Sequence, residues 1–305
     1  MKIIFMGTPD FAVPILEALN EKYEIALVVS QPDKEVGRKR ILTHPPVVAK
    51  ALELGLKVYQ PYKLRDDYKE IIDAKADMIV TAAYGQIVPD AVLNSVSKSI
   101  NVHGSLLPKY RGGAPIQRSI MAGDKITGIS IIDMVSRLDA GGVYKQATIE
   151  ILDSDNSTTM FNKLSLLGRD LLMDVIEDIY SGKLKSEPQD DSKAVYSPNI
   201  KREEEKIDFN KSSFEIFNLI RGLSDEPGAY AVINDEVIKI YSSEIVAYDG
   251  KETPGEIIDL NKKILVKTAD GALSLITIKP SGKKMMNAKD FLNGQKLLKI
   301  DDLFK

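Results

Sequence analysis

The first hundred residues repeat one arrangement: a short, uninterrupted apolar run, then turn-forming residues, then a stretch with apolar positions three and four apart. "KIIFM" at 2–6 halts at Gly7, Thr8 and Pro9 and gives way to the amphipathic "FAVPILEALNEK". "EIALVVS" at 24–30 precedes a helical "PPVVAKALELG" at 45–55, and "KVYQP" precedes a helical stretch that ends at Ala74. "DMIVTAAYG" at 77–85 and "SINVHGS" from 99 continue the series. Apolar strands of this length alternating with helices predict a parallel sheet covered on both faces. The first strand-to-helix turn reads "GTPDFAVP" rather than G-x-G-x-x-G, so no dinucleotide site is indicated, although a helix start there would offer free N–H groups to an anion.

Further along, "TGISIIDM" (127–134) and "GGVYKQATIEI" (141–151) read as strands. Residues 157–181 form one long helix whose Leu164, Leu167, Leu171, Leu172, Val175, Ile176 and Ile179 make a core-facing stripe. The polar stretch 186–206, with two prolines, reads as a surface linker. Beyond it the period changes. One amphipathic helix, "SSFEIFNLIRGL" (212–223), is followed by five short strands, "YAVIN", "VIKIYSSEIV", "GEIIDL", "ILVKTA" and "LSLITIKP". The fold class is therefore α/β, a Rossmann-like and mostly parallel sheet with helices on both faces, followed by a small C-terminal β-barrel of the OB-like kind. We draw the boundaries at 1–188 for the first domain, 189–206 for the linker and 207–305 for the barrel.

Composition narrows the chemistry. The chain is 44% hydrophobic and 28% charged, as in ordinary soluble proteins, and no run approaches the roughly 18 apolar residues of a membrane span. The opening run is interrupted before it reaches signal-peptide length and lacks a transit-peptide bias, which predicts a cytoplasmic protein. With no cysteine, a disulfide, a thiolate zinc site and a cysteine nucleophile are excluded. His44 and His103 are the only two histidines and share no metal-ligand spacing, so no metal is expected. A net charge of −3 argues against a nucleic-acid-coating surface but leaves room for a local basic patch.

Asn101, His103 and Asp139 are the sharpest constellation. The first two lie two apart at the end of a predicted strand, so their side chains share a face at the carboxyl edge, where open parallel sheets hold ligands. Asp139 lies between two predicted strands, in "SRLDAGGVY". On the residues alone, a hydrogen-bonded structural histidine accounts for the pattern as well as a reactive one does.

The segment "NVHGSLLPKYRGGAPIQRSIMAGDKITGISIIDMVSRLDAGGVY" resembles the signature of the 10-formyltetrahydrofolate-dependent formyltransferases, with both its N-x-H and its L-D-x-G elements. The likeness runs on through "MKIIFMGTPDFAVPIL", "QPDKEVGRKR", "AAYGQIVP", "IRGLSDEPGAY" and "IKPSGKKMMNAKDFLNG", over essentially the whole chain. It implies transfer of a formyl group from 10-formyltetrahydrofolate to the amino group of methionine esterified to initiator tRNA, by a cytoplasmic monomer acting without a metal. Amine attack on the formyl carbon creates an oxyanion and a cationic nitrogen. By the family's pattern, the Asn101 amide and a protonated His103 donate to that oxygen, and Asp139 raises the histidine's pKa and helps relay the proton.

The same resemblance makes Ser105, Leu106, Leu107 and Pro108 a folate wall, flanked by Tyr84 and Gly85; unaided, "SLLP" reads as a loop. It makes the basic run at 33–46, with Arg38, Lys39 and Arg40, a loop that meets the tRNA acceptor end, where composition alone gives a solvated loop. In the C-terminal hundred residues Lys279, Lys283 and Lys284, with Lys289 nearby, suit a phosphate-tracking patch. A sugar-nucleotide N-formyltransferase with the same catalytic residues is the alternative, and a glycinamide ribonucleotide formyltransferase would leave the last hundred residues unexplained.

Overall fold

The structure is a computed structural model that describes residues 1–37, 39–295 and 297–305. It divides into two compact units, one comprising Met1–Pro115, Ile126–Glu150 and Phe161–Pro198, the other Ile116–Lys125, Ile151–Met160 and Asn199–Lys305.

In the first unit the apolar runs become strands. These are β1 (Lys2–Gly7), β2 (Glu24–Val29), a small β3–β4 hairpin (Lys34–Val36 and Ile41–Thr43), β5 (Val58–Tyr59), β6 (Met78–Ala82), β7 (Lys98–His103), β8 (Ile126–Asp133) and β9 (Val143–Glu150). The main sheet has the order β5-β2-β1-β6-β7-β8-β9. Its first five strands run parallel, and β8 and β9 are antiparallel additions at one edge. The central strands are apolar on both faces because helices cover both: α1 (Val13–Lys22), α2 (Pro46–Glu53), the short α3 (Lys69–Asp73) and α4 (Asp90–Leu93), then the greater part of α6 (Ser157–Tyr180), whereas α5 (Pro115–Met121) belongs, apart from its first residue, to the second unit. Leu164, Leu171, Leu172, Val175, Ile176 and Ile179 of α6 are buried, as their spacing predicts.

One close approach positions the site. A Cβ added at Gly168 would lie 2.9 Å from Val102 Cγ1, so only glycine lets α6 lie this close to β7. Val102 is thereby pinned on the helix side, and the alternation of a strand turns Asn101 and His103 to the other face.

The second unit is a curled antiparallel sheet of β10 (Ala229–Ile233), β11 (Glu236–Val246), β14 (Ala272–Pro280), β13 (Ile264–Lys267) and β12 (Ile257–Asp259), with β15 (Met286–Asn287) on β14. Residues 301–305 join its two edges. The Val232 and Lys305 backbones exchange both hydrogen bonds on β10, while Asp301 and Asp302 bond Ile257 on β12. Phe304 N–H donates to Gly255 O at 2.9 Å, and its ring packs on Phe209 with centroids 5.7 Å apart. The tail thereby bridges the two outer strands of the curled sheet, in the manner of a small barrel. Helix α7 (Ser213–Gly222), capped by Ser212 and Glu215, lies on it, and the short α8 (Ala288–Leu292) follows β15. Arg221 of α7 is only 4% exposed; its guanidinium bonds Asn218 Oδ1 (2.8 Å) and the carbonyls of Leu152 (2.7 Å) and Asp155 (3.2 Å).

The sequence reads 33–46 as a loop, whereas the structure forms the β3–β4 hairpin there. All six of its strand residues are exposed, so no buried face marks the hairpin in the hydrophobic pattern.

Candidate active site

Strands β6 and β7 end side by side, with Thr81 in register with Asn101. The Thr81 hydroxyl donates to Asn101 Oδ1 at 2.7 Å. That bond takes up the amide oxygen and turns the two amide N–H donors the other way.

His103, 5% exposed, sits two residues on. Its Nε2 lies 3.0 Å from the Tyr110 carbonyl oxygen. A carbonyl only accepts, so Nε2 is the protonated nitrogen, and Nδ1 is left to face the rest of the site. Nδ1 faces Asp139 Oδ2 at 3.7 Å, within ion-pairing range but too far for a hydrogen bond. Asp139 Oδ2 accepts instead from Gly112 N–H at 2.9 Å. Asp139 itself has a φ of +46°, a left-handed conformation costly for a residue with a side chain and held only where its surroundings fix it. The structure thus brings the three expected residues together.

Part of that fixing comes from the segment that reads as a surface linker. Ser186 donates to the Asp133 carboxylate, and Val143 and Glu187 exchange two backbone bonds. Gln189 Nε2 donates to the carbonyls of Asp139 and Gly141, both at 2.8 Å, while its Oε1 accepts from Arg111 Nε and Nη2 at 3.1 and 2.9 Å. Ser197 bonds the Arg111 backbone, and its hydroxyl donates to the Tyr110 carbonyl, the same oxygen that meets His103. Residues 186–197 therefore form a strap laced to both loops around the pair. Arg111, 1% exposed, also reaches Asp191 at 2.7 Å. Arg137 and Arg111 together hold the Asp191 carboxyl below the usual carboxylate range. Composition marked this stretch as solvated because it is polar, yet much of that polarity is directed at loop carbonyls.

The loop after β7 is held as firmly. Ser130 Oγ accepts from Leu107 N–H at 3.1 Å and donates to the Ser105 carbonyl at 2.7 Å, while Gln146 Nε2 donates to the Leu107 carbonyl at 2.9 Å. Ser105 and Leu107 are buried, and Leu106 and Pro108 are half-buried. Leu106 fills the space left by Gly128, where a Cβ would come within 2.6 Å of it. Tyr84 and Gly85 lie just past the end of β6, but the Tyr84 ring is buried with Ile4, Met6, Leu27 and Val29. The Tyr84 carbonyl accepts from Thr8 Oγ1 and Gln31 Nε2, and burial raises the phenol's pKa. Gly85 takes a left-handed φ of +88°.

Lys39 and Arg40 are exposed in the turn of the β3–β4 hairpin, where Arg40 Nε lies 3.1 Å from Glu35 Oε2; Arg38 lies outside the described residues. On the barrel Lys279, Lys283 and Lys284 are all exposed, and Lys283 Nζ sits 5.1 Å from the centroid of Phe291.

A family model described as formyl transferase matches residues 1–176, and one described as formyl transferase, C-terminal domain, matches residues 199–296. The chain belongs to the formyl transferase family. It is 48% identical to the methionyl-tRNA formyltransferase of Streptococcus mutans, over 99% of both chains. To that of Lactobacillus acidophilus it is 47% identical, over 96% of this chain and 95% of the relative. Among solved structures, an N-formyltransferase from Helicobacter canadensis, in complex with folinic acid and dTDP-3-aminofucose, aligns with a TM-score of 0.70 over 90% of this chain and 98% of that one. At 20% identity this likeness concerns the fold. The formyl transferase matches contain Asn101, His103, Asp139 and the barrel lysines, whereas the strap and the closing residues 301–305 fall outside both ranges.

Thr81, Arg111 and Gln189 are residues of this candidate site that the sequence pattern does not single out. Thr81 is accessible in principle, since adjacent parallel strands ending at one edge bring it beside Asn101. Gln189, inside a polar stretch of no period, carries no signal.

Proposed function

We propose that this formyl transferase carries the formyl group of 10-formyltetrahydrofolate to the amino group of methionyl initiator tRNA, giving N-formylmethionyl-tRNA. Near-full-length identity to methionyl-tRNA formyltransferases supports the acceptor. The observation that carries the chemistry is the meeting, at one sheet edge, of an amide oriented by Thr81 and a histidine whose Nδ1 faces a carboxylate.

As the amine bonds to the formyl carbon, negative charge gathers on the formyl oxygen. The Asn101 N–H groups meet it, already aimed before the reaction begins. Nδ1–H of protonated His103 is the ring's remaining donor, because Nε2–H is committed to Tyr110. The Asp139 carboxylate faces that nitrogen at 3.7 Å and, through water, accepts the proton the amine sheds. The loop 105–108 fits the flat folate as a pre-ordered edge: the backbone of Leu107 is satisfied by Ser130 and Gln146, which leaves Leu106 and Pro108 as its partly exposed apolar members. When bound, the folate would supply an activated formyl amide, whose bond from the formyl carbon to the folate nitrogen breaks as the new amide forms, the departing nitrogen taking up the proton the amine sheds. Tyr84 would support this edge from behind, through its buried ring, and Gly85 would border the site with its backbone.

The test is a three-way transfer assay. The protein is incubated with 10-formyltetrahydrofolate and either methionyl initiator tRNA, an amino-sugar nucleotide or glycinamide ribonucleotide. Formate should appear on the tRNA; preferential labelling of the sugar would overturn the acceptor while keeping the chemistry.

In the same reading Arg38, Lys39 and Arg40 face the acceptor end, and Lys279, Lys283 and Lys284 track phosphates. Charge reversal at Lys283 and Lys284 should weaken tRNA binding and lower the slope of log affinity against log salt, by about 0.7 to 0.9 for each phosphate no longer neutralised. An unchanged slope in a filter-binding titration argues against the patch.

A further inference from the structure

Gln189 makes every hydrogen bond its amide can form. Both N–H groups are given to the carbonyls of Asp139 and Gly141, and the oxygen accepts twice from a nearly inaccessible Arg111. Those two carbonyls bracket the turn that carries the Asp139 carboxylate, and that turn runs through a left-handed residue that is not glycine. The backbone there has little room to relax, since a Cβ at Gly141 would collide with the Asp133 carbonyl at 1.9 Å. Arg111 stands in the other loop of the site, one residue from the carbonyl that holds His103. The amide of Gln189 is thus the junction between the loop that orients the histidine and the loop that presents the carboxylate. Direct contact within the pair is a single separation of 3.7 Å with no hydrogen bond to fix it.

We infer that Gln189 is a positioning residue for formyl transfer, setting the distance and angle between Asp139 and His103 from a segment that touches neither substrate. The inference rests on the catalytic reading of that pair. A gap of this kind is sensitive: displacements near 1 Å from a distant change can lower turnover by about 100-fold. The carboxylate is also the charged group that Nδ1 of the imidazole faces, so its retreat must change the surroundings the ring reports by NMR.

Two substitutions separate clamping from anchoring. Gln189→Leu removes all four bonds at similar volume. Gln189→Glu keeps an acceptor for Arg111 but withdraws both donors from the carbonyls of Asp139 and Gly141. We expect each to lower kcat on methionyl-tRNA about 10- to 100-fold, with KM for tRNA and folate and the thermal midpoint close to the parent's. Because the chain has only two histidines, NMR of 15N-histidine-labelled protein resolves them individually, with His44→Ala assigning the signals. At one fixed pH the His103 ring signals should shift in both variants while those of His44 stay put. Parent-like kcat in Gln189→Glu, or His103 ring signals that do not move in either variant, overturns the inference. The NMR readout needs no substrate. A parent chain that formylates some other amine therefore refutes the proposed acceptor without touching Gln189, whereas unmoved His103 signals refute Gln189 without touching the acceptor.

Discussion

His103→Ala and Asp139→Asn should each lower the kcat for formylation by roughly 100- to 10,000-fold, the range typical of a lost general acid or base. Asp139→Asn is the sharper of the two. It changes one atom, and the new side chain still presents an oxygen to the Gly112 N–H, so the turn keeps its 2.9 Å bond and only the charge facing His103 is lost. His103→Ala removes the ring from a buried position and with it the bond to the Tyr110 carbonyl, which Ser197 Oγ still satisfies. Circular dichroism and thermal unfolding should therefore remain near those of the parent in both variants. Single-turnover measurements with methionyl-tRNA check the prediction directly, and a turnover within a few-fold of the parent in either variant removes that residue from the mechanism.

The second large effect concerns stability. Phe304 is 3% exposed, stacks on Phe209 and anchors the short segment whose backbone joins β10 to β12. Truncating a buried phenylalanine costs about 3–5 kcal/mol. Here the loss has a second component, because a loosened tail uncovers two strand edges at once. Urea denaturation of Phe304→Ala should show the barrel unfolding well before the parent's transition. A stability change below about 1 kcal/mol would mean that the tail covers the barrel without supporting it.

What is legible in the sequence follows from periodicity. The apolar runs at 2–6, 24–30, 77–85 and 99–103 become the parallel strands, and the stripe of Leu164 to Ile179 becomes α6, because burial on one or both faces writes itself into residue choice at a fixed spacing. Asn101 and His103 are readable as a pair because a strand repeats every two residues. Features built on single polar contacts are not. The hairpin at 34–43 buries no face, and Gln189 acts through backbone carbonyls that any sequence would supply. The tail shows the same gap: no pattern in 301–305 says that it pairs with Val232 and Ile257, since those bonds are made by main chain alone. Asp139 lies between these cases. Its position relative to His103 comes from family likeness, and its left-handed turn from the structure.

Arg221 bears on how such proteins can be recombined. Its Nη1 donates to the carbonyls of residues 152 and 155, far upstream of the helix that carries it, and Gly123 leaves the space that the Phe214 ring occupies. The C-terminal module is therefore not a cassette that begins at residue 199. A chimera that exchanged only 199–305 with a relative would set a buried cation against foreign acceptors. Grafts between members of this family should travel as three pieces, with 116–125 and 151–160 moving together with the barrel they complete.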